Sequence, residues 1–219
     1  MPKHLHRDLE QLKKATLTLG AMVESATHKA ILALTDRRLE LAEEVMEGDR
    51  EIDEREIKVE TECFKILALH QPVANDLRYV VAMLKVNSDL ERVGDLAGNI
   101  AERSRSLIND HEPVAIPPQI HEMGVIVRRM LHDSLNALIE QDTALAHKVL
   151  KDDEEVDTRH EEIYGVLQKR MKENSEAVDD CVPMLSVSRY LERIADMATN
   201  IAEDVVFMVE GDVIRHQFS

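Results

Sequence analysis

Apolar residues recur along the chain at alternating steps of four and three. Leu5, Leu9, Leu12, Thr16, Leu19, Val23, Ala26, Ala30 and Ala33 keep this rhythm, which marks one face of a helix that packs against other helices. It predicts a first helix from about Leu5 to Leu34. Thr35-Asp36 reads as the break and the N-cap of a second helix. That helix runs to about Leu69, with Leu41, Val45, Ile52, Val59, Ile66 and Leu69 on its seam. His70-Gln71-Pro72 reads as a short turn, with Pro72 suited to the first position of a third helix ending near Asn109. The stretch from His111 to Pro118 holds Pro113, Pro117 and Pro118, and reads as a linker.

The second half repeats the plan. A fourth helix is expected over about Pro118 to Glu140 and a fifth over about Asp142 to Lys172. Asn174-Ser175 marks a turn. A sixth helix, begun or kinked by Pro183, runs to about Glu210 and stops at Gly211. At an offset of 104, Gly20 matches Gly124, Val23 matches Val127 and His28 matches His132, while Asp49, Glu51, Asp53 and Arg55 match Asp153, Glu155, Asp157 and Arg159. Such self-similarity predicts a duplicated unit. The expected fold is all-α: six long helices in two tandem, similar three-helix bundles, residues 1–110 and 119–219, joined by 111–118.

The strongest repeat is a stretch of thirteen residues. Leu90-Glu91-Arg92-Val93-Gly94-Asp95-Leu96-Ala97-Gly98-Asn99-Ile100-Ala101-Glu102 returns as Leu191-Glu192-Arg193-Ile194-Ala195-Asp196-Met197-Ala198-Thr199-Asn200-Ile201-Ala202-Glu203, with nine positions identical at an offset of 101. A shorter turn between the fifth and sixth helices would account for the three residues lost. On a helix, Glu91, Asp95, Asn99 and Glu102 form one row, as do Glu192, Asp196, Asn200 and Glu203. Like charges at this spacing repel by a few tenths of a kcal/mol per pair, so something positive should face each row. Counting back equally from a turn near Gln71 sets Asp49 and Asp53 roughly opposite Arg92 and Ser88, beside Glu91 and Asp95. The same construction brings Asp153 and Asp157 to Glu192 and Asp196. The row Leu77, Val81, Leu84, Ser88, Glu91, Asp95 begins apolar, which suggests that the carboxylates continue a packing face.

Each half thus gathers about four carboxylates, with Asn99 or Asn200 beside them. Such oxygen-rich sets suit Mg²⁺, Mn²⁺, Ca²⁺ or iron better than thiol-loving metals, with Zn²⁺ a further candidate. The competing reading is a solvated acidic face paired with Arg92 and Arg193, since surface ion pairs are common and weak. His28 and His132 are candidate ligands or partners of ligands. Asp157-Thr158-Arg159-His160 resembles half of a di-iron carboxylate site, but no Glu-x-x-His occurs, and a ferritin-like site needs two. Cys63 and Cys181 are more easily read as buried small apolar residues.

Composition narrows the function. The chain has 43 acidic and 27 basic residues and a net charge of -16, which argues against nucleic acid and anionic lipid as partners. Two cysteines make no disulfide framework. No apolar run approaches a membrane span, and the start shows no signal-peptide core. The expectation is a cytoplasmic protein without membrane insertion.

The residues Asp89-Leu90-Glu91-Arg92-Val93-Gly94-Asp95 and Tyr190-Leu191-Glu192-Arg193-Ile194-Ala195-Asp196 resemble the paired E(D)-x-x-x-D motif of the PhoU family, and Pro72-Val73-Ala74-Asn75-Asp76-Leu77-Arg78 resembles that family's start to the third helix. The resemblance covers nearly the whole chain. It implies two three-helix bundles, multinuclear metal sites on the motif helices and a homodimer. It also implies a non-enzymatic negative regulator of phosphate transport and phosphate-starvation signalling. The implied partners are the phosphate transporter's ATPase subunit and a membrane sensor kinase. Ala195 departs from the glycine of the first copy, which would place a Cβ beside the second set of carboxylates. The alternatives are a helical di-metal carboxylate enzyme, oxidase or hydrolase, and a metal-free helical scaffold.

Overall fold

The computed structural model describes residues 3–109 and 114–211. The described residues form six long helices: α1 (Lys3–Thr35), α2 (Leu39–His70), α3 (Ala74–Asn109), α4 (Pro118–Glu140), α5 (Thr143–Glu173) and α6 (Val178–Glu210). A 3-10 turn, Ser175–Ala177, leads into α6. Among the described residues there is no strand. All nine positions of the first apolar rhythm are buried, so the four-and-three spacing is the packing face of α1. Pro183 lies inside α6. His111 and Pro113 of the expected linker lie outside the described residues.

Several boundaries differ from the expectation. The N-cap of α2 is Arg38, not Thr35 or Asp36, and no side chain caps it. Thr35 closes α1 instead, and Arg37 takes a left-handed conformation (φ 53°) that turns the chain. Gln141 repeats this after α4, at the matching position (φ 55°). Pro72 precedes α3 rather than opening it, because Gln71 is left-handed and Ala74 starts the helix at φ 48°. Leu69 is 68% exposed; the seam of α2 ends at Ile66, one turn before the helix does. The α2–α3 turn has three non-helical residues, whereas Asn174 alone separates α5 from the 3-10 turn, which accounts for much of the change in offset.

The two similar halves share one core. Within each half, the outer helix (α2 or α5) packs on the two others. Across the halves, α3 packs along α6 and α1 along α4, and the buried apolar residues form a continuous cluster. Gly20 and Gly124 enable the α1–α4 approach: a Cβ on Gly20 would lie 2.9 Å from Leu135 Cδ2, and one on Gly124 would lie 2.9 Å from Ile31 Cγ2. These contacts are images of each other under the repeat. Between α3 and α6, Lys85 Nζ donates to buried Asp204 at 2.8 Å and lies 5.0 Å from the Phe207 ring centre, a cation–π distance.

Candidate metal centres

Each candidate site lies on a hairpin of one outer and one inner helix, α2–α3 or α5–α6. The hairpin register comes from buried contacts. Ile52 packs where a Gly94 Cβ would stand, 3.1 Å from Ile52 Cγ2. Asn87, almost fully buried, donates from Nδ2 to the Glu56 carbonyl (3.2 Å) and to Glu56 Oε1 (2.8 Å). Asp49 Oδ1 is 3.9 Å from the Cβ position of Gly98. Asp49 therefore stands beside Gly98 rather than opposite Arg92, further along α3 than equal counting predicts. The three non-helical residues 71–73 shift α3 along its axis, which equal counting ignores.

This register brings the first carboxylates together. Asp49, Asp95, Asn99 and Glu102 line an open cleft of about 410 Å³ with Met46 and Gly98. Partial desolvation raises the pKa of Asp49, and the charges of Asp53 and Asp95 raise it further. Asp95 is raised by desolvation and by Asp53. Glu91 is raised by desolvation, then by Asp95, Glu56 and Asp53. These shared fields place Asp49, Asp53, Glu91 and Asp95 in one cluster.

The second hairpin repeats the cluster. Burial pushes the Asp153 carboxyl up to about 6, helped by Asp157, Asp196 and Glu192. Asp196 is raised by burial, Glu192 and Asp157. Asn200 turns to its own helix, with Nδ2 3.8 Å from Met197 Sδ.

The acidic face is not a set of ordinary surface ion pairs. Neighbouring residues do pair: Arg50 with Glu54, Arg55 with Glu51, and Arg129 with Asp152 and Glu155. Among the described residues, none of the carboxylates of Asp49, Asp53, Glu91, Asp95, Asp153, Asp157, Glu192 and Asp196 makes an ion pair or accepts a hydrogen bond. Arg92 and Arg193 are exposed and offer only the smallest of the influences on Glu91 and Asp196. The oxygen-only donor set and the lack of paired cations fit a hard metal ion in chemistry. The side chains are not drawn in to ligand distance: among the described residues, no three His, Cys, Asp or Glu are grouped closely enough to hold an ion.

Other expectations need correction. Leu77 and Ser88 are exposed and Val81 and Leu84 half-buried, so the row running to Asp95 follows the outside of the hairpin. Ala195 is fully buried. Its counterpart Gly94 faces Ile52, so the added methyl belongs to the core side and does not crowd the carboxylates. The residue matching Ile52 is Val156, also fully buried. Ile with Gly in one half and Val with Ala in the other conserve carbon count across the hairpin, the kind of exchange cores tolerate best.

His28 and His132 lie on α1 and α4, helices that carry none of the carboxylates. His160 Nδ1 is 2.8 Å from Ser188 Oγ, the positional match of the Glu56–Asn87 pair. Cys63 and Cys181 are buried, and burial pushes the Cys63 thiol up to about 12, as befits an inert packing residue. Glu56 was absent from the predicted set although its charge acts on Glu91. The available signal was its place one turn beyond Asp53 on α2.

The PhoU domain model matches this chain twice, over residues 16–104 and 120–205. The chain belongs to the PhoU family. It is 38% identical to the phosphate-specific transport system accessory protein PhoU homolog of Aquifex aeolicus, over 97% of this chain and 96% of that one. It is 32% identical to phosphate-specific transport system accessory protein PhoU of Escherichia coli, over 95% and 86%. The crystal structure of PhoU from Pseudomonas aeruginosa superposes with a TM-score of 0.92 at 34% identity, over 94% of this chain and 99% of that one. That of the phosphate transport system regulatory protein PhoU from Streptococcus pneumoniae gives 0.88 at 31%, over 95% and 98%. Each family-model match takes in one α2–α3 or α5–α6 hairpin and its motif. No helix among the described residues is long and apolar enough to cross a membrane.

Proposed function

We propose that this chain is a metal-binding, cytoplasmic, non-enzymatic regulator of phosphate transport and phosphate-starvation signalling. It acts as a negative regulator through protein contacts, as a homodimer, on the transporter's ATPase subunit and on the membrane sensor kinase. The names of its relatives, accessory and regulatory proteins of phosphate transport systems, support the setting. The observation that carries the metal reading is the pair of matched clusters: eight carboxylates that, among the described residues, make no ion pair, beside Glu51, Glu54, Asp152 and Glu155 of the same helices, which do.

Asp49, Asp53, Glu91 and Asp95, with Asn99, would hold one set of ions, and Asp153, Asp157, Glu192 and Asp196, with Asn200, the other. A bound cation supplies positive charge where four carboxylates repel. Without it, α2 and α5, the outer helices, are pushed from α3 and α6 along their acidic edges. The angle of each hairpin then depends on how well that repulsion is offset, and the long outer faces presented to partners change with it. The acidic surface steers the protein toward basic patches.

The test is a binding titration of metal-loaded and chelator-treated protein against the ATPase subunit and the kinase's cytoplasmic part at matched ionic strength. Metal-loaded protein should bind more tightly, with helicity unchanged by circular dichroism. Equal affinity for both partners would remove metal from the regulatory mechanism.

A further inference from the structure

The two matched histidines meet across the α1–α4 pair, away from the carboxylate hairpins. There His28, Glu24 and Ser25 of α1 face Arg128, Arg129 and His132 of α4 across an open groove of about 570 Å³. Arg128 Nη1 donates to His28 Nδ1 at 3.0 Å. Glu24 Oε1 lies 3.1 Å from His132 Nδ1. Position 24 matches position 128 under the offset of 104, so the same place carries a carboxylate in one half and a guanidinium in the other. Repetition alone would have made two equivalent Glu–His contacts. Instead, one end of the groove is cationic.

Arg128 is the centre of that end. Among the described residues no carboxylate lies within ion-pair distance of it, although acidic residues outnumber basic ones 43 to 27. Its polar partner is the His28 ring, 3.0 Å away at Nδ1 and 3.4 Å at Nε2, and burial together with the Arg128 charge lowers the pKa of His28. A cation held against a neutral imidazole leaves its remaining N–H donors for an incoming group. Ser25 and His132 add donors on the same walls, Arg129 adds positive charge although Asp152 and Glu155 engage its guanidinium, and Glu24, already engaged by His132, is the one carboxylate lining the groove. A metal ion would meet the guanidinium charge in this groove. An oxyanion would find a planar fork of donors, which suits phosphoryl oxygens.

We propose that the α1–α4 groove is an oxyanion site for a phosphoryl group, free or carried on a small organic body. Arg128 and His28 hold the anion, and the exposed apolar side chains of Ala21 and Val125 form the floor for any attached body. The site does not depend on the metal reading, since its residues lie on other helices.

The test is calorimetric titration of the full chain, with and without chelator, using inorganic phosphate and AMP as separate ligands. Nuclear magnetic resonance of the histidine rings locates the site. Saturable binding that shifts the His28 and His132 signals, survives chelation and weakens roughly tenfold in Arg128→Ala is expected. Glu24→Gln, which removes the one competing carboxylate, should tighten it about threefold. Tighter AMP binding would identify a phosphorylated organic ligand, and equal or weaker AMP binding free phosphate. Arg128→Gln serves as a second variant, with circular dichroism confirming that each is folded. No saturation by about 10 mM of either ligand would overturn the proposal. So would binding unchanged in both Arg128 variants, or binding lost on chelation.

Discussion

The two hairpins carry nearly the same motif yet hold it differently. In the first, Gly98 leaves an open cleft beside Asp49, Asp95 and Asn99. In the second, Thr199 stands at the matching position and its hydroxyl donates to the Asp196 carbonyl at 2.7 Å. Asp153 is driven up to about 6, with burial as the leading cause, while its counterpart Asp49 is raised less far by the same kind of cause. Behind the carboxylates, Glu56–Asn87 in one half becomes His160–Ser188 in the other. The first cluster is therefore more open and has a further acid near it. The second is more enclosed and has an imidazole in that place. Duplication preserved the donor rows, while Asp153 is desolvated more strongly than its counterpart Asp49.

The largest effect should come from deleting the rows in turn. Glu91→Ala with Asp95→Ala should remove roughly half the bound metal, and adding Glu192→Ala with Asp196→Ala nearly all of it, by elemental analysis of protein loaded with Mn²⁺ or iron. Unchanged content in the fourfold variant would sink the metal reading. Loading should raise the melting temperature of the unaltered protein, because a ligand that binds the folded state alone stabilises it by mass action.

The difference in desolvation predicts a pH effect on the metal-free protein. The folded pKa of Asp153, about 6, lies above its ordinary 3.8. The folded state therefore binds this proton more tightly than the unfolded chain does. The resulting stabilisation is fully present below about pH 3.8 and is lost as pH rises through about 6. Asp153→Asn should flatten this loss and raise the melting temperature at pH 7 by about 2–4 °C. Asp49→Asn should do the same more weakly. Equal responses from the two variants would contradict the comparison.

The smallest effect concerns the packing behind the rows. Gly94→Ala would bring a Cβ to 3.1 Å from Ile52 Cγ2, a crowding that works against the roughly 1 kcal/mol that alanine gains over glycine within a helix. Paired with Ile52→Val it recreates the residue pair that the second half carries at the matching buried positions, Val156 and Ala195. The double variant should be more stable than the sum of the single changes by about 1 kcal/mol in a denaturant cycle. Strict additivity would mean that the two positions do not compensate each other.

Much of this could be read without coordinates, because helices bury a periodic stripe. The spacing from Leu5 to Ala33 specified α1, and the offsets of 104 and 101 specified the duplication. The thirteen-residue motif specified the rows, since residues four apart on a helix share a face whatever surrounds them. Tertiary packing decided what periodicity does not encode. The register of α2 on α3 follows from Ile52 against Gly94 and Glu56 on Asn87, so equal counting misplaced Asp49. Thr35 could not be told from Arg38 as the start of α2, because the turn depends on a left-handed Arg37. The meeting of His28 with Arg128 depends on how closely α1 and α4 approach, and the missing Cβ atoms of Gly20 and Gly124 make room there for Leu135 and Ile31 of the facing helix. Local spacing is a property of one helix, and these contacts are properties of two.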